Sequence, residues 1–308
     1  MKDIHLDANE NAFFARELES VKSQTYDKKY PQFKAQQYIP VNTAEDEGAT
    51  SITYMSFDGN GVSKFIADYA DDIPNIEVSG QEFTSPVREH ANFYQFSNKE
   101  IRSAAKINRP LRSMKAEKSR RAYEQLVDDT AWFADGTTKW RGLTGLIYNP
   151  NINVDPAPNG TWASATPDQI IEDVSFAINN PSDVTNDVEF VDTCLLSVPK
   201  YNQLASTRLT DTGQTILSYL RNEAFPDVAF DKVAKLKDLD PAPSGGAAPT
   251  NVILTFRSDP EVMTLEIPMA YTQHPPQQVN LVQKIITEGS TGGVIVYYPL
   301  GVQIVEGI

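Results

Sequence analysis

The chain has 308 residues, of which 27 are basic and 41 acidic, so its formal net charge is −14. A polypeptide this acidic is a poor general binder of phosphate backbones, because net repulsion opposes the counterion release that drives such binding. The single cysteine, Cys194, excludes an internal disulfide and a cysteine-ligated zinc site, and three widely spaced histidines disfavour a histidine metal cage. The sequence has no apolar run of the roughly 18 residues that a membrane span needs, and it begins without a signal-peptide core. We therefore expect a soluble chain with no metal, no cofactor and no membrane partner.

Residues 1–50 show no sustained hydrophobic period and are predicted to form an N-terminal arm. Pro31 and Pro40 prevent long helices, and one short amphipathic helix is predicted over residues 12–21. The segment has too many aromatic residues for a solvated tail and too few for a core of its own, so we expect it to lie on another surface. The aromatic side chains expected to make contact with a neighbouring subunit are Phe13, Phe14, Tyr26 and Tyr30.

Residues 51–96 predict long strands around a mobile tip. The alternating run 51–57 leads into the turn sequence DGNG at 58–61, a polar stretch covers 79–86, and an aromatic run closes the segment. The glycine-rich turn lacks the third glycine and the preceding buried strand of a phosphate loop. Because an isolated two-stranded ribbon is only marginally stable in water, this protrusion requires a partner surface. The tip residues expected to contact a neighbouring subunit are Asp58, Asn60 and Lys64.

Residues 97–136 carry the strongest helical pattern. Ser97 and Glu100 have the spacing of a capping box, residues 108–110 interrupt the helix with a proline, and a long helix is predicted from 112 to 134. Its apolar face is predicted to contain Met114, Ala122, Tyr123, Leu126, Val127, Thr130 and Ala134.

The same stretch is strongly basic. Nine basic and three acidic residues between Ser97 and Leu126 give +6, so the remainder of the chain carries −14 − 6 = −20. Three interpretations stay open: a solvated helix with local ion pairs such as Glu117 with Arg121, a contact with acidic surface of neighbouring copies, and apposition to packaged nucleic acid. Since the local acids cannot neutralise the helix, pairing between subunits is favoured over nucleic acid. The basic residues expected to make this contact are Arg109, Arg112, Lys115, Arg120 and Arg121.

The remainder of the chain predicts interspersed helices and strands, so the fold class is α+β. Thr166 and Pro167 begin a helix with an apolar face, and the run 192–198, stopped by a proline, predicts a buried strand in which Cys194 is an inert thiol. Further predicted elements are a helix at 212–222, a loop at 241–246, strands at 252–256, 263–267 and 293–298, and a strand-like tail to residue 305.

Sequence motifs of catalysis are missing. The chain has neither a G-x-S-x-G elbow nor an H-E-x-x-H helix. The acidic pairs Asp71–Asp72 and Asp128–Asp129 are adjacent in sequence, so we expect them on solvated surfaces rather than as cooperating acids. No catalytic residue and no enzymatic activity are predicted.

Several short blocks, in this order along nearly the whole chain, resemble the major capsid proteins of tailed bacteriophages with the Hong Kong 97-type fold. More narrowly, the chain is similar to a phage and prophage branch long described as a domain of unknown function. The blocks are residues 12–18 (AFFAREL), 30–31 (YP), 39–41 (IPV), 48–49 (GA), 52–54 (ITY), 68–74 (DYADDIP), 94–97 (YQFS), 100–102 (EIR), 115–116 (KA), 120–122 (RRA), 145–149 (GLIYN), 192–196 (DTCLL) and 293–299 (GVIVYYP).

The resemblance implies a division of the chain into an N-terminal arm (1–50), an extension loop (51–90), a peripheral domain with a long spine helix (91–160 and 263–308) and an axial domain (161–262). It implies self-assembly as pentamers and hexamers into an icosahedral head that encloses double-stranded DNA without sequence-specific binding. Portal, scaffolding or decoration proteins would be further partners, and the protein would belong to the virion after assembly in the host cytoplasm.

Two alternatives stay open at this point: an encapsulin-type cellular compartment with the same fold, and an acidic cytosolic enzyme whose site is assembled from scattered residues. Some members of the broader fold join a lysine of the extension loop to a neighbour's asparagine. Lys64 lies in the corresponding loop, where a plain surface lysine is the default interpretation.

Overall fold

The structure is a computed structural model of the chain, and it describes residues 32–60, 77–106, 111–210, 213–239 and 250–308. The chain divides into an N-terminal unit, Met1–Gln32, and a compact unit, Phe33–Ile308, and the following concerns the second unit. The helix predicted over 12–21, the interruption at 108–110 and the loop at 241–246 lie outside the described residues.

The helices and strands follow one another in mixed order. In the first half of the chain they are α1 (Ala35–Tyr38), β1 (Val41–Asn42), β2 (Ser51–Asn60), β3 (Glu77–Pro86), β4 (Arg88–Ser97), α2 (Asn98–Lys106), α3 (Leu111–Phe133), β5 (Asn153–Pro156) and α4 (Pro167–Thr185). In the second half they are β6 (Thr193–Leu196), α5 (Val198–Ser206), α6 (Ile216–Tyr219), β7 (Ala229–Lys232), β8 (Ile253–Phe256), β9 (Met263–Glu266), β10 (Thr272–Gln273), β11 (Gln277–Val279), β12 (Val282–Thr291), β13 (Gly293–Val296) and β14 (Val302–Glu306).

The described strands form four sheets. A five-stranded sheet has the order β5-β14-β8-β6-β7, and a three-stranded sheet has the order β1-β9-β13. In the third sheet the long strand β12 pairs with β4, β10 and β11. The fourth sheet contains β2 and β3 alone and is called the ribbon below. This mixture confirms the α+β class.

The five-stranded sheet is covered on both faces, which explains the unbroken apolar run of β6. Leu195 and Leu254 belong to a hydrophobic cluster under α3, whereas Cys194 and Ile253 belong to a second cluster under α4. Strands buried on both faces do not alternate with polar residues. The strand predicted over 192–198 is confirmed for Thr193–Leu196, whereas Val198 begins α5, and Cys194 is buried as predicted.

The two helices with the clearest sequence signals begin where expected. The Ser97 N–H donates to the Glu100 carboxylate at 3.0 Å, and the Glu100 N–H donates to Ser97 Oγ at 3.1 Å, which completes the capping box. The first of these bonds holds the pKa of Glu100 below its ordinary value. Helix α3 spans residues 111–133 against the predicted 112–134, and Thr166 caps α4 as predicted.

Other predictions for the helices were wrong in detail. Ala122 and Leu126 of α3 are exposed, and the buried face instead contains Ser119 and Asp128, because the sheet and the segment before β1 cover that side of the helix. The helix expected from residue 212 is capped by Thr215 and begins at Ile216.

Candidate assembly surfaces

The ribbon is a regular antiparallel pair of ten-residue strands. Its register runs from Ser51 opposite Pro86 to Asn60 opposite Glu77. At about 3.3 Å per residue, ten residues extend roughly 33 Å. Among the described strands, β2 and β3 pair with each other and with no third strand, so neither outer edge of the ribbon has a paired strand.

One face of the ribbon, called the apolar face below, exposes three large apolar side chains, and the carboxylate of Glu82 lies on the same face opposite Met55. Met55, Phe57 and Val78 lie on it, and they are 65%, 69% and 67% exposed. The Phe57 ring lies over Gly80 of the opposite strand, where an added Cβ would come within 3.0 Å of the ring. Solvation of these large apolar side chains is unfavourable, so the face is a candidate docking surface.

The base of the ribbon is fixed to the body by an aromatic contact on its other face. Ile52 is buried against Val87 and Ile295. Tyr54 stacks on Phe83 with ring centroids 5.4 Å apart and meets the Tyr297 ring edge-on at 4.9 Å. The base is therefore packed against the body, whereas the outer part of the ribbon is held by the pairing of its own two strands.

A groove of about 790 Å³ lies between the ribbon and the body. Val41, Tyr54, Met55, Phe57 and Tyr298 supply apolar walls. A groove with these walls is shaped to accept apolar side chains of a polypeptide.

Glu266 is a fully buried acid behind this groove. Asn42 Nδ2 donates to Glu266 Oε2 at 3.0 Å, and Thr264 Oγ1 donates to Glu266 Oε1 at 2.5 Å. Burial raises the pKa of Glu266 above its ordinary value, although the two hydrogen bonds oppose the shift. The acid links β1 to β9 below the base of the ribbon.

The segment before β1 is held by Asp128. The backbone N–H groups of Lys34 and Ala35 donate to Asp128 Oδ1 at 3.0 and 2.8 Å, and Lys235 forms an ion pair with Asp128 Oδ2. Asp129 also pairs with Lys235, at 2.5 Å. The expectation that this acidic pair is solvated was wrong for Asp128, which is buried because a segment 94 residues earlier in sequence covers it.

Three of the basic candidates on α3 already have partners within the chain. Lys115 Nζ donates to the Gln95 carbonyl at 2.8 Å, Arg120 pairs with Glu124 at 2.8 Å, and the Arg121 guanidinium lies 4.7 Å from the Phe33 ring. Local pairing therefore accounts for part of the charge of the helix.

Of the remaining candidate contact residues, some lie in described elements and others lie outside the described residues. Asp58 and Asn60 lie at the end of β2, and Arg112 lies in the first turn of α3. The candidates outside the described residues are Phe13, Phe14, Tyr26, Tyr30, Lys64 and Arg109. The exposed ribbon residues Met55, Phe57 and Val78 were not singled out, although the alternation of residues 51–57 would have placed the first two on one face.

Neither a metal centre nor a membrane span is found in the part of the chain that the structure describes. Its His, Cys, Asp and Glu side chains form no group of three or more that could hold a metal ion. Within the same residues, every helix is too short or too polar to cross a bilayer.

Comparison with solved structures identifies the class of protein. The capsid of Myoviridae Phage XM1 superposes with a TM-score of 0.81 over 96% of this chain and 98% of that chain, at 22% identity. A structure from Mycobacterium phage Ogopogo gives 0.62 at 15% identity, covering 94% of this chain and 96% of that one. A virus-like particle from Pyrococcus furiosus gives 0.51 at 11% identity, covering 88% and 91%. The fold is therefore the Hong Kong 97-type capsid fold.

The sequence identifies the family. The major capsid protein family matches residues 61–308, and the chain belongs to that family. Searching the curated proteins gave no match to the sequence. The protein is accordingly a structural component of a virus particle that assembles with copies of itself, and it is not an enzyme. This confirms the family resemblance and favours it over the compartment and enzyme alternatives.

Proposed function

We propose that the protein forms the icosahedral head of a tailed phage, as pentamers and hexamers that enclose double-stranded DNA. The observation that best supports this proposal is the apolar face of the ribbon, where Met55, Phe57 and Val78 are each about two-thirds exposed. A monomer leaves this face in water, whereas a neighbouring subunit covers it, so burial stabilises the shell rather than the isolated chain. The similarity to the capsid of a myovirus supports the assignment to a tailed phage.

The division of labour along the chain is part of the proposal. Residues 1–50 act as the arm and 51–90 as the extension loop, 91–160 with 263–308 form the peripheral domain, and 161–262 form the axial domain. The distinct clusters under α3 and α4 support two domains that share the five-stranded sheet. The arm aromatics, the ribbon tip and the basic residues of α3 named above act as contacts between subunits.

Net charge supports the proposed relation to DNA. An overall −14 limits adhesion of the genome to the wall, because most of the surface repels phosphate. No sequence-specific readout is therefore proposed. Portal, scaffolding or decoration proteins are further proposed partners, and assembly takes place in the host cytoplasm.

The test is assembly of the purified chain, followed by sedimentation velocity and negative-stain electron microscopy. The wild type should form shells or capsomers above a critical concentration. Val78→Asp, on the apolar face, should remain folded and stay unassembled, whereas Gln81→Asp, on the opposite face of the same strand, should assemble as the wild type does. A wild-type chain that stays monomeric at all concentrations would overturn the proposal.

A further inference from the structure

A second groove, of about 360 Å³, lies beside the point where the ribbon joins β4. Three exposed cations line it, Arg88, Lys139 and Arg141, together with a single carboxylate, Glu89. Arg88 Nε donates to the Arg141 carbonyl at 2.8 Å, which holds these two residues side by side. We call this feature the basic groove.

His90 forms part of the wall of the basic groove. Its ring stacks on Tyr123 with ring centroids 4.9 Å apart, and both ring nitrogens are buried. Burial lowers the pKa of His90, so near pH 7 the ring adds no charge to the three cations named above.

In the part of the chain that the structure describes, the three cations have few acids near them: Glu89 lines the groove, and the charge of Lys139 acts on Asp135. Among the described residues, neither these cations nor the three consecutive acids Glu45, Asp46 and Glu47 take part in an ion pair. The three acids form a turn between β1 and β2, and Asp46 Oδ1 accepts a hydrogen bond from the Gly48 N–H at 3.1 Å. We call these three residues the acidic turn. It carries −3, whereas the three cations and the Glu89 carboxylate give the basic groove 3 − 1 = +2.

We propose that the acidic turn of one copy binds in the basic groove of a second copy. This inference rests on the proposed self-assembly and assigns to it a specific electrostatic contact. Because the two surfaces are different parts of one chain, the contact is head-to-tail and repeats from subunit to subunit around a closed ring. Carboxylates of a second copy are favoured over DNA phosphates, because the turn presents a short cluster of three acids to a groove in which three cations face the single carboxylate of Glu89.

The contact can be tested by exchanging charges. One variant carries Glu45→Lys, Asp46→Lys and Glu47→Lys, and another carries Arg88→Glu, Lys139→Glu and Arg141→Glu. Each should fold as the wild type does and raise the critical concentration for assembly at least about tenfold. A chain with all six substitutions should assemble again, because every contact is restored with reversed polarity.

A matched control separates this contact from net charge. Reversing the exposed acids Asp168, Asp183 and Asp227 to lysine changes the net charge as much as reversing the acidic turn, and it should leave assembly unchanged. The inference would be overturned if the charge-reversal variants assembled like the wild type, or if the chain with all six substitutions did not regain assembly. Either result would leave the proposed function standing. A wild-type chain that never assembles overturns both.

A second measurement needs no substitution. Shells assembled from a mixture of unlabelled and ¹⁵N-labelled wild-type chains are treated with a zero-length carboxyl-to-amine cross-linker and analysed by mass spectrometry. We expect Lys139 of one copy joined to the acidic turn of another, in labelled–unlabelled pairs. Cross-links confined to single copies would overturn the inference. It would also be overturned if the charge-reversal variant of the basic groove formed normal shells that contain less DNA.

Discussion

Truncation of Phe57 to alanine is expected to weaken assembly without weakening the fold. A phenylalanine presents about 200 Å² to solvent when fully exposed, so a side chain that is 69% exposed leaves about 140 Å² for a neighbour to cover. At about 25 cal/mol per Å², complete coverage stabilises the contact by about 3.5 kcal/mol. Incomplete coverage and the methyl group that alanine retains reduce the expected loss to about 2 kcal/mol.

This loss corresponds to about a thirtyfold rise in the critical concentration, since about 1.4 kcal/mol is a factor of ten. Static light scattering over a dilution series measures it. Unfolding of the unassembled Phe57→Ala chain should differ from the wild type by less than about 1 kcal/mol, because the side chain is already in water. Gln81→Ala, on the opposite face of the ribbon, is the control. Unchanged assembly by Phe57→Ala, or a defect matched by an equal loss of folding stability, would refute the reasoning.

Three further predictions concern the fold. Burial raises the pKa of Glu266, so the folded chain favours the protonated acid and wild-type stability should fall as pH rises above the ordinary pKa. The gain in melting temperature that Glu266→Gln gives over the wild type should therefore grow between about pH 4 and pH 7. A gain that stays constant with pH would contradict this. In urea, Asp128→Ala should cost about 3 kcal/mol and Asp129→Ala less than about 1 kcal/mol, and equal costs would show that the buried contacts do not matter. Gly293 and Gly160 have similar positive φ values of 73° and 69°, but of the two only Gly293 has backbone close to the position of an added Cβ, a carbonyl oxygen at 2.4 Å. In thermal unfolding, Gly293→Ala should lower the free energy of unfolding by more than about 3 kcal/mol and Gly160→Ala by about 1 kcal/mol. Similar losses for the two variants would count against the steric explanation.

Elements defined by local signals were predictable from the sequence. The capping residues Ser97 and Thr166 fix where two helices begin, since their side chains bond backbone groups only three residues away. The apolar run 192–198 identified a strand covered on both faces. Such signals depend on few neighbours in the sequence, so tertiary contacts do not change the elements that they predict.

Strand β12, which is ten residues long like β4, was missed because all of its buried positions except Ile285 are small or polar. In β12, Thr287, Ser290 and Thr291 are buried, and Gly289 lies directly under the Tyr123 ring, where an added Cβ would come within 2.3 Å. A large aromatic residue on α3 therefore fills the space that apolar side chains of the strand would otherwise occupy. Neither periodicity nor composition of the strand alone shows this.

The candidate surfaces show the same limit. The alternation of residues 51–57 predicted a strand, but the polar stretch 79–86 was not assigned to its partner, which is a strand throughout. The Phe57 ring of the opposite strand lies against Gly80, so a side chain at this position would have to displace the ring. The pairing of acids with cations is likewise set by tertiary contacts, which is why the buried Asp128 was mistaken for a solvated acid.

In the proposed shell, sister subunits cover the ribbon. Cryo-electron microscopy of shells assembled from the purified chain would show whether they do. We expect each ribbon to lie on an adjacent subunit with Met55, Phe57 and Val78 in contact with that subunit. A shell in which this face remains open to solvent, or a chain that yields only compact monomers, would contradict the account.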